Sequence, residues 1–195
     1  MILLQVATAL HGFAWGVYFA YTRRLFSEAY GAGYLALLTG LEWAAALLSV
    51  FFGYLRDRYR GPWPLYVGAS GAVPFLALAV VDEPVELALL LSLSSAAWSA
   101  AWPAIVSGAA DKYGSSASVY ARWSIGSGIG WGLGSAASGF VASAWGVQGV
   151  VVSMIAPYIA AYCLFIYELG DVNQVGSSSS VSLSSLASLL RSMYL

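Results

Sequence analysis

What most constrains this chain is a succession of apolar runs, each about as long as a bilayer core is thick. Roughly 20 consecutive apolar residues in a helix cross that core, and six stretches qualify: 2–21, 33–55, 63–81, 87–110, 123–145 and 149–167. Hydrophobic residues make up 60% of the 195 positions and charged residues only 9%, more apolar surface than a water-soluble domain of this size can cover. The expected fold is therefore an all-α membrane protein with six transmembrane helices in residues 1–168. A cytoplasmic tail, 169–195, follows. A net charge of −1 leaves no basic surplus to hold nucleic acid, and the single cysteine, Cys163, allows neither an intrachain disulfide nor a cysteine-rich metal site. No cofactor is expected.

Charge collects between the runs. In a six-pass topology Arg56, Arg58, Arg60, Lys112, Arg122 and Arg191 fall on one side and Arg23 and Arg24 on the other. The excess of basic residues on the cytoplasmic side of membrane proteins then predicts a cell-membrane protein with both termini in the cytoplasm. The acidic turn of Asp82, Glu83 and Glu86 lies outside. No Lys or Arg precedes Arg23, so the first run lacks the basic start of a secretory signal and is read as a retained span. Trp63, Trp123, Trp145 and Tyr167 sit at span ends, where amphipathic rings favour the headgroup zone. Past Tyr167 the composition changes to VGSSSS, a flexible link. Leu183, Leu186, Leu190 and Met193 then recur at helical spacing opposite Ser184, Ser185, Ser188 and Arg191, the pattern of a short surface-lying amphipathic helix.

The densest charge lies in GYLRDRYRG, residues 53–61. This stretch resembles the loop between helices 2 and 3 of the major facilitator superfamily of secondary transporters, G-x-x-x-D-R/K-x-G-x-R/K-R/K. Gly53, Asp57 and Arg58 match, while Arg60 stands where the family has its second Gly. The resemblance implies a conformational switch: the Gly lets helix 2 pack on a helix of the other half, and the Asp faces that helix's N-terminus while pairing with Arg. A carboxylate so placed gains about 0.3–2 kcal/mol. Six spans, a short basic loop after the second, a longer loop after the fourth and a Gly-rich fifth span extend the likeness over the chain. The fifth span, GSGIGWGLGSAASG, is similar to the family's antiporter motif at Gly130, Gly134 and Gly139, but Ser135 replaces its Pro and Ser138 the first of its paired glycines. Gly126, Gly130 and Gly134 also describe close helix packing through small residues. The Arg of proton-coupled members' fourth span has no counterpart, since no basic residue lies between Arg60 and Lys112.

Two ionisable residues fall near bilayer centres, His11 and Glu42. Such residues usually face a cavity or another helix, and these two are the candidates for proton coupling. On the first run Thr8, His11, Trp15, Tyr18 and Thr22 form one stripe. The resemblance puts that helix on the solute path, so His11, Trp15 and Tyr18 are candidate solute contacts. Glu42 shares a face with Thr39, Ala46, Ser49 and Gly53. Trp98 and Trp102 with Ser94 and Ser95, and Trp131 with Ser124, Ser127, Ser135 and Ser138, offer aromatic and hydroxyl surface on two further runs. This lining suits an uncharged or weakly charged organic solute, because a phosphate calls for Arg or Lys in the cavity.

The expected function is thus one half of a transporter moving a small organic solute by alternating access. Its partners would be the lipid bilayer, the solute, and a C-terminal six-helix half or a second copy. The alternatives are a noncatalytic membrane scaffold or the inactive remnant of a split transporter. An enzyme reading fails on chemistry. GASG, 68–71, is similar to the nucleophile motif of rhomboid intramembrane proteases, but that Ser needs a His on a later helix as its base, and the sole histidine precedes it.

Overall fold

The computed structural model describes residues 1–59 and 61–172. Arg60, the Ser-rich link and the C-terminal amphipathic segment lie outside the described residues. The described chain is helical, with no strand among those residues. Five of its helical segments are long and apolar enough to cross a membrane, which fits a membrane-embedded protein.

The first run extends past its expected end at Tyr21: α1 (Ile2–Leu25) passes into a π-helical turn at Phe26–Tyr30. Counting apolar residues stopped at Arg23 and Arg24, yet nothing in two arginines breaks a helix. Next comes α2 (Ala32–Arg58). The third run is segmented into α3 (Trp63–Ser70), a 3₁₀ turn at Val73–Leu76 and α4 (Ala77–Val80). Pro74, which has no N–H and crowds the preceding turn, lies in the 3₁₀ piece. Helix α5 (Pro84–Tyr113) opens on a proline, and the Glu83 carboxylate accepts from the N–H groups of Val85 and Glu86 at 2.8 and 2.9 Å. This cap satisfies donors that a helix start leaves free.

The last element, α6 (Ala117–Leu169), has 53 residues, about 80 Å if it were straight. It is interrupted at Gly146, whose φ of 62° and ψ of −162° are non-helical. A new backbone direction begins there. Along the first part, Gln5 pairs with Arg122, Thr8 with Trp123, and Gly16 lies against Trp131 and Ser135, so chain positions rise together and α1 runs parallel to it. Along the second part, the Met1 amino group lies near Glu168 while Trp15 meets Tyr158, the antiparallel order. The chain therefore turns back on itself at Gly146.

Small residues let the paired helices approach. A Cβ on Gly126, Gly130 or Gly134 would lie 2.3, 1.9 or 2.1 Å from carbonyl oxygens of Gln5, Ala9 and Phe13 in α1, and Gly12 and Gly16 answer from the other side. The packing role expected for the glycine stripe is the one observed. Helix α3 runs antiparallel to α5: Gly68 meets Ala101, and the Ser94 hydroxyl donates to the Gly71 carbonyl at 2.8 Å. Gly53 of α2 lies beside Pro103 of α5. At one end of the bundle Glu168 gathers three helix ends, taking a hydrogen bond from the Tyr113 hydroxyl, an ion pair with Lys112 at 3.1 Å and the Met1 amino group at 3.8 Å.

Candidate functional site

Two helix pairs, α1 with α6 and α2 with α5, leave a cavity of about 370 Å³ between them. Helix α1 supplies His11, Gly12, Trp15, Phe19 and Arg23; α2 supplies Glu42, Trp43 and Ala46; α5 supplies Ser95, Trp98 and Ser99; α6 supplies Ser127 and Trp131. The α1 contribution is a row at every fourth residue, 11, 15, 19 and 23. Rows at this spacing are the natural ridges of a helix and wind slowly about its axis.

That row corrects the stripe read from the sequence. Thr8 is turned toward α6, donating to the Trp123 carbonyl at 2.8 Å, and Thr22 bonds back to the Tyr18 carbonyl at 2.7 Å. Phe19 and Arg23 take their places on the cavity. Of the other expected contacts, His11, Trp15, Trp98 and Trp131 do line it, whereas Trp102 packs behind Trp98, with tilted rings centred 4.6 Å apart, and leads on to Trp123. Tyr18 is buried and serves Glu42 instead.

At one end His11 lies nearly flat on Trp98, with ring centroids 4.2 Å apart, and its Nε2 accepts from the Trp15 Nε1–H at 2.9 Å. An imidazole accepting at Nε2 carries its neutral-form proton on Nδ1. At the other end Arg23 and Glu42 form a two-pronged ion pair. Nη2 donates to Oε2, Nη1 donates to Oε1 at 3.3 Å, and the Tyr18 hydroxyl donates to Oε1 at 2.5 Å. The guanidinium also lies 4.7 Å over the Phe19 ring. Glu42 is 6% exposed and the Arg23 side chain 29%, so the carboxylate is enclosed and the cation reaches the rim. A carboxylate this deep is tenable because three donors satisfy it.

Arg23 is the residue the sequence reading missed. Its signal was the four-residue spacing from His11, obscured because an arginine at the end of an apolar run reads as a loop residue. Its presence changes the chemistry expected of the cavity, which holds a cation as well as aromatics and hydroxyls.

Gly53, Asp57 and Arg58 do not share this site. Asp57 lies fifteen residues beyond Glu42 on α2, about 22 Å along the axis. It is 49% exposed and sits 3.5 Å from Arg56, while Arg58 donates to the Tyr54 hydroxyl at 3.3 Å. A Cβ on Gly53 would meet Pro103 only at 3.9 Å, so no close helix approach is made there in this chain. Ser70 of the GASG stretch is exposed and bonds to the Val67 carbonyl in its own helix at 2.6 Å. No family model, curated protein or solved structure matches the chain.

Proposed function

We propose that this chain is the six-span N-terminal half of a secondary transporter of the major facilitator kind, moving a small organic solute through the cavity between the two helix pairs. The observation carrying this reading is the cavity itself, which combines aromatic walls with an ion pair whose carboxylate is enclosed and whose guanidinium reaches the rim. An ionisable group within a membrane span is by default a candidate for a solute or ion path. The turn at Gly146 supports reading the 53-residue helix as two passes, which with the other four long segments would make six. Asp57 with its neighbouring arginines, remote from the cavity, suits the role of biasing one conformation rather than holding solute. Both termini lie on the cytoplasmic side, and His11, Trp15, Trp98 and Trp131 are solute contacts, with Glu42 and His11 the groups available for proton coupling.

The chain should transport only when paired with a second six-span half, or with a copy of itself. Weighing purified protein in nanodiscs by light scattering, followed by uptake of a panel of labelled organic solutes into proteoliposomes, tests this. Saturable uptake by a stable monomer would refute the half-transporter reading; an inactive monomer rescued by a second six-span chain supports it.

A further inference from the structure

The cavity's two ends differ in what they leave unused. Glu42 is already engaged, with Oε1 taking Tyr18 and Arg23 and Oε2 taking Arg23. A guanidinium has five N–H donors, and Arg23 commits its two Nη atoms to Glu42 while standing at the cavity rim, partly open to solvent. Spare capacity at this end is therefore for an acceptor. A cationic solute would find its carboxylate already matched and the Phe19 face already covered by Arg23.

Beyond the guanidinium the walls are Trp15, Phe19 and Trp131, with Phe19 centred 5.4 Å from Trp15 and 6.3 Å from Trp131. Ala46 and Trp43 close the opposite side. These rings already touch one another, so planar apolar matter lies against their cavity-facing surfaces rather than between them, and offset or edge contacts with them contribute about 0.5–1.5 kcal/mol each beyond area burial.

From this arrangement we infer that the solute is an aromatic monocarboxylate, its carboxylate on the rim-facing edge of Arg23 and its ring among Trp15, Phe19 and Trp131. The inference rests on the reading of this cavity as a solute site and assigns that site its chemical class. Arg23 is shared between Glu42 and the solute. The second carboxylate is tolerated because it docks where solvent reaches, so that its repulsion from Glu42 acts at a higher effective dielectric than the buried side of the pair provides. Glu42 then acts as an internal competitor that sets affinity, and binding strengthens when its charge is removed.

Equilibrium dialysis of the purified full chain in detergent tests the class without requiring transport. The probes are labelled 3-phenylpropanoate, its amide and 3-phenylpropylamine. The carboxylate should bind at least tenfold more tightly than either neutral or cationic analogue, and Arg23→Gln should erase that preference. Because Arg23→Gln strips Glu42 of its cation and can impair folding, Glu42→Gln provides a second arm with the opposite sign: it keeps Arg23, removes the competitor and should tighten carboxylate binding severalfold. Equal binding of acid and amide, tighter binding of the amine, or weaker carboxylate binding in Glu42→Gln would each overturn the assignment. Selective carboxylate binding by a chain that no second half renders transport-competent would sink the transporter reading and leave the ligand class standing. Transport of the amine or amide in preference to the acid would do the reverse.

Discussion

The contact between α1 and α6 is made by positions with no side chain. At Gly130 an added Cβ would sit 1.9 Å from the Ala9 carbonyl oxygen, a backbone atom that cannot move without moving its helix. At Gly132, two residues on, it would meet nothing within 4 Å. Gly130→Ala should therefore destabilise the protein by about 1–3 kcal/mol, as overpacking does. Gly132→Ala should stabilise it by about 0.4–1 kcal/mol by restricting the unfolded chain. Reversible unfolding in mixed detergent–SDS micelles measures both, and matching signs would mean that close approach is not what these glycines provide. The same spacing rule makes part of the site legible from sequence: His11, Trp15 and Glu42 stand out because polar and stacking groups are conspicuous in apolar runs. Arg23 did not stand out, since charge at the edge of a run is the usual mark of its end, and only the position of α2 reveals that the guanidinium has a buried partner.

Among the elements, α6 carries the most distinctive geometry, because its turn depends on one residue. Gly146 occupies a backbone region, φ 62° and ψ −162°, that is essentially closed to residues with a Cβ. No atom lies within 4 Å of where that Cβ would go, so the cost of Gly146→Ala is conformational rather than steric against neighbours. It should amount to about 1–3 kcal/mol. Gly139→Ala, at a helical position with equal room, should stabilise slightly, as at Gly132. If both variants unfold alike in SDS titration, the turn is not held by this conformation. Runs of apolar residues made the helices legible, and the gap between Trp145 and Gly149 marked where the last one turns. The segmentation of the third run was not legible by hydropathy, since Gly71 and Pro74 alter hydrogen bonding without altering apolarity. Nor was the clamp at Glu168, whose partners Lys112 and Tyr113 lie more than fifty residues away in sequence.

For the molecule as a whole, the helix pairings sort the charges by end. Glu168 ties the beginning of α1 to the ends of α5 and α6, and Gly53 beside Pro103 brings the end of α2 to the same side. Arg56, Arg58 and Lys112 thus share one face of the bundle with Arg122, whose carbonyl accepts from Gln5 near the start of α1. Arg23, Arg24, Glu28, Asp82, Glu83 and Glu86 occupy the opposite ends of their helices. The rule that governs insertion predicts that the basic face lies in the cytoplasm. The exposed positions Asp57, Ser115 and Asp82 can each carry the sole cysteine once Cys163 is changed to Ser. An impermeant maleimide added to intact cells should then label Asp82→Cys alone, and permeabilisation should expose Asp57→Cys and Ser115→Cys together. The linked outcome is the informative one, because α2 and α5 end side by side whichever way the protein inserts. Labelling of Asp57→Cys and Ser115→Cys from outside, with Asp82→Cys protected, would reverse the orientation yet keep the bundle. Labelling of Asp57→Cys and Ser115→Cys from different sides would break the pairing of α2 with α5, and with it the cavity that those helices enclose against α1 and α6.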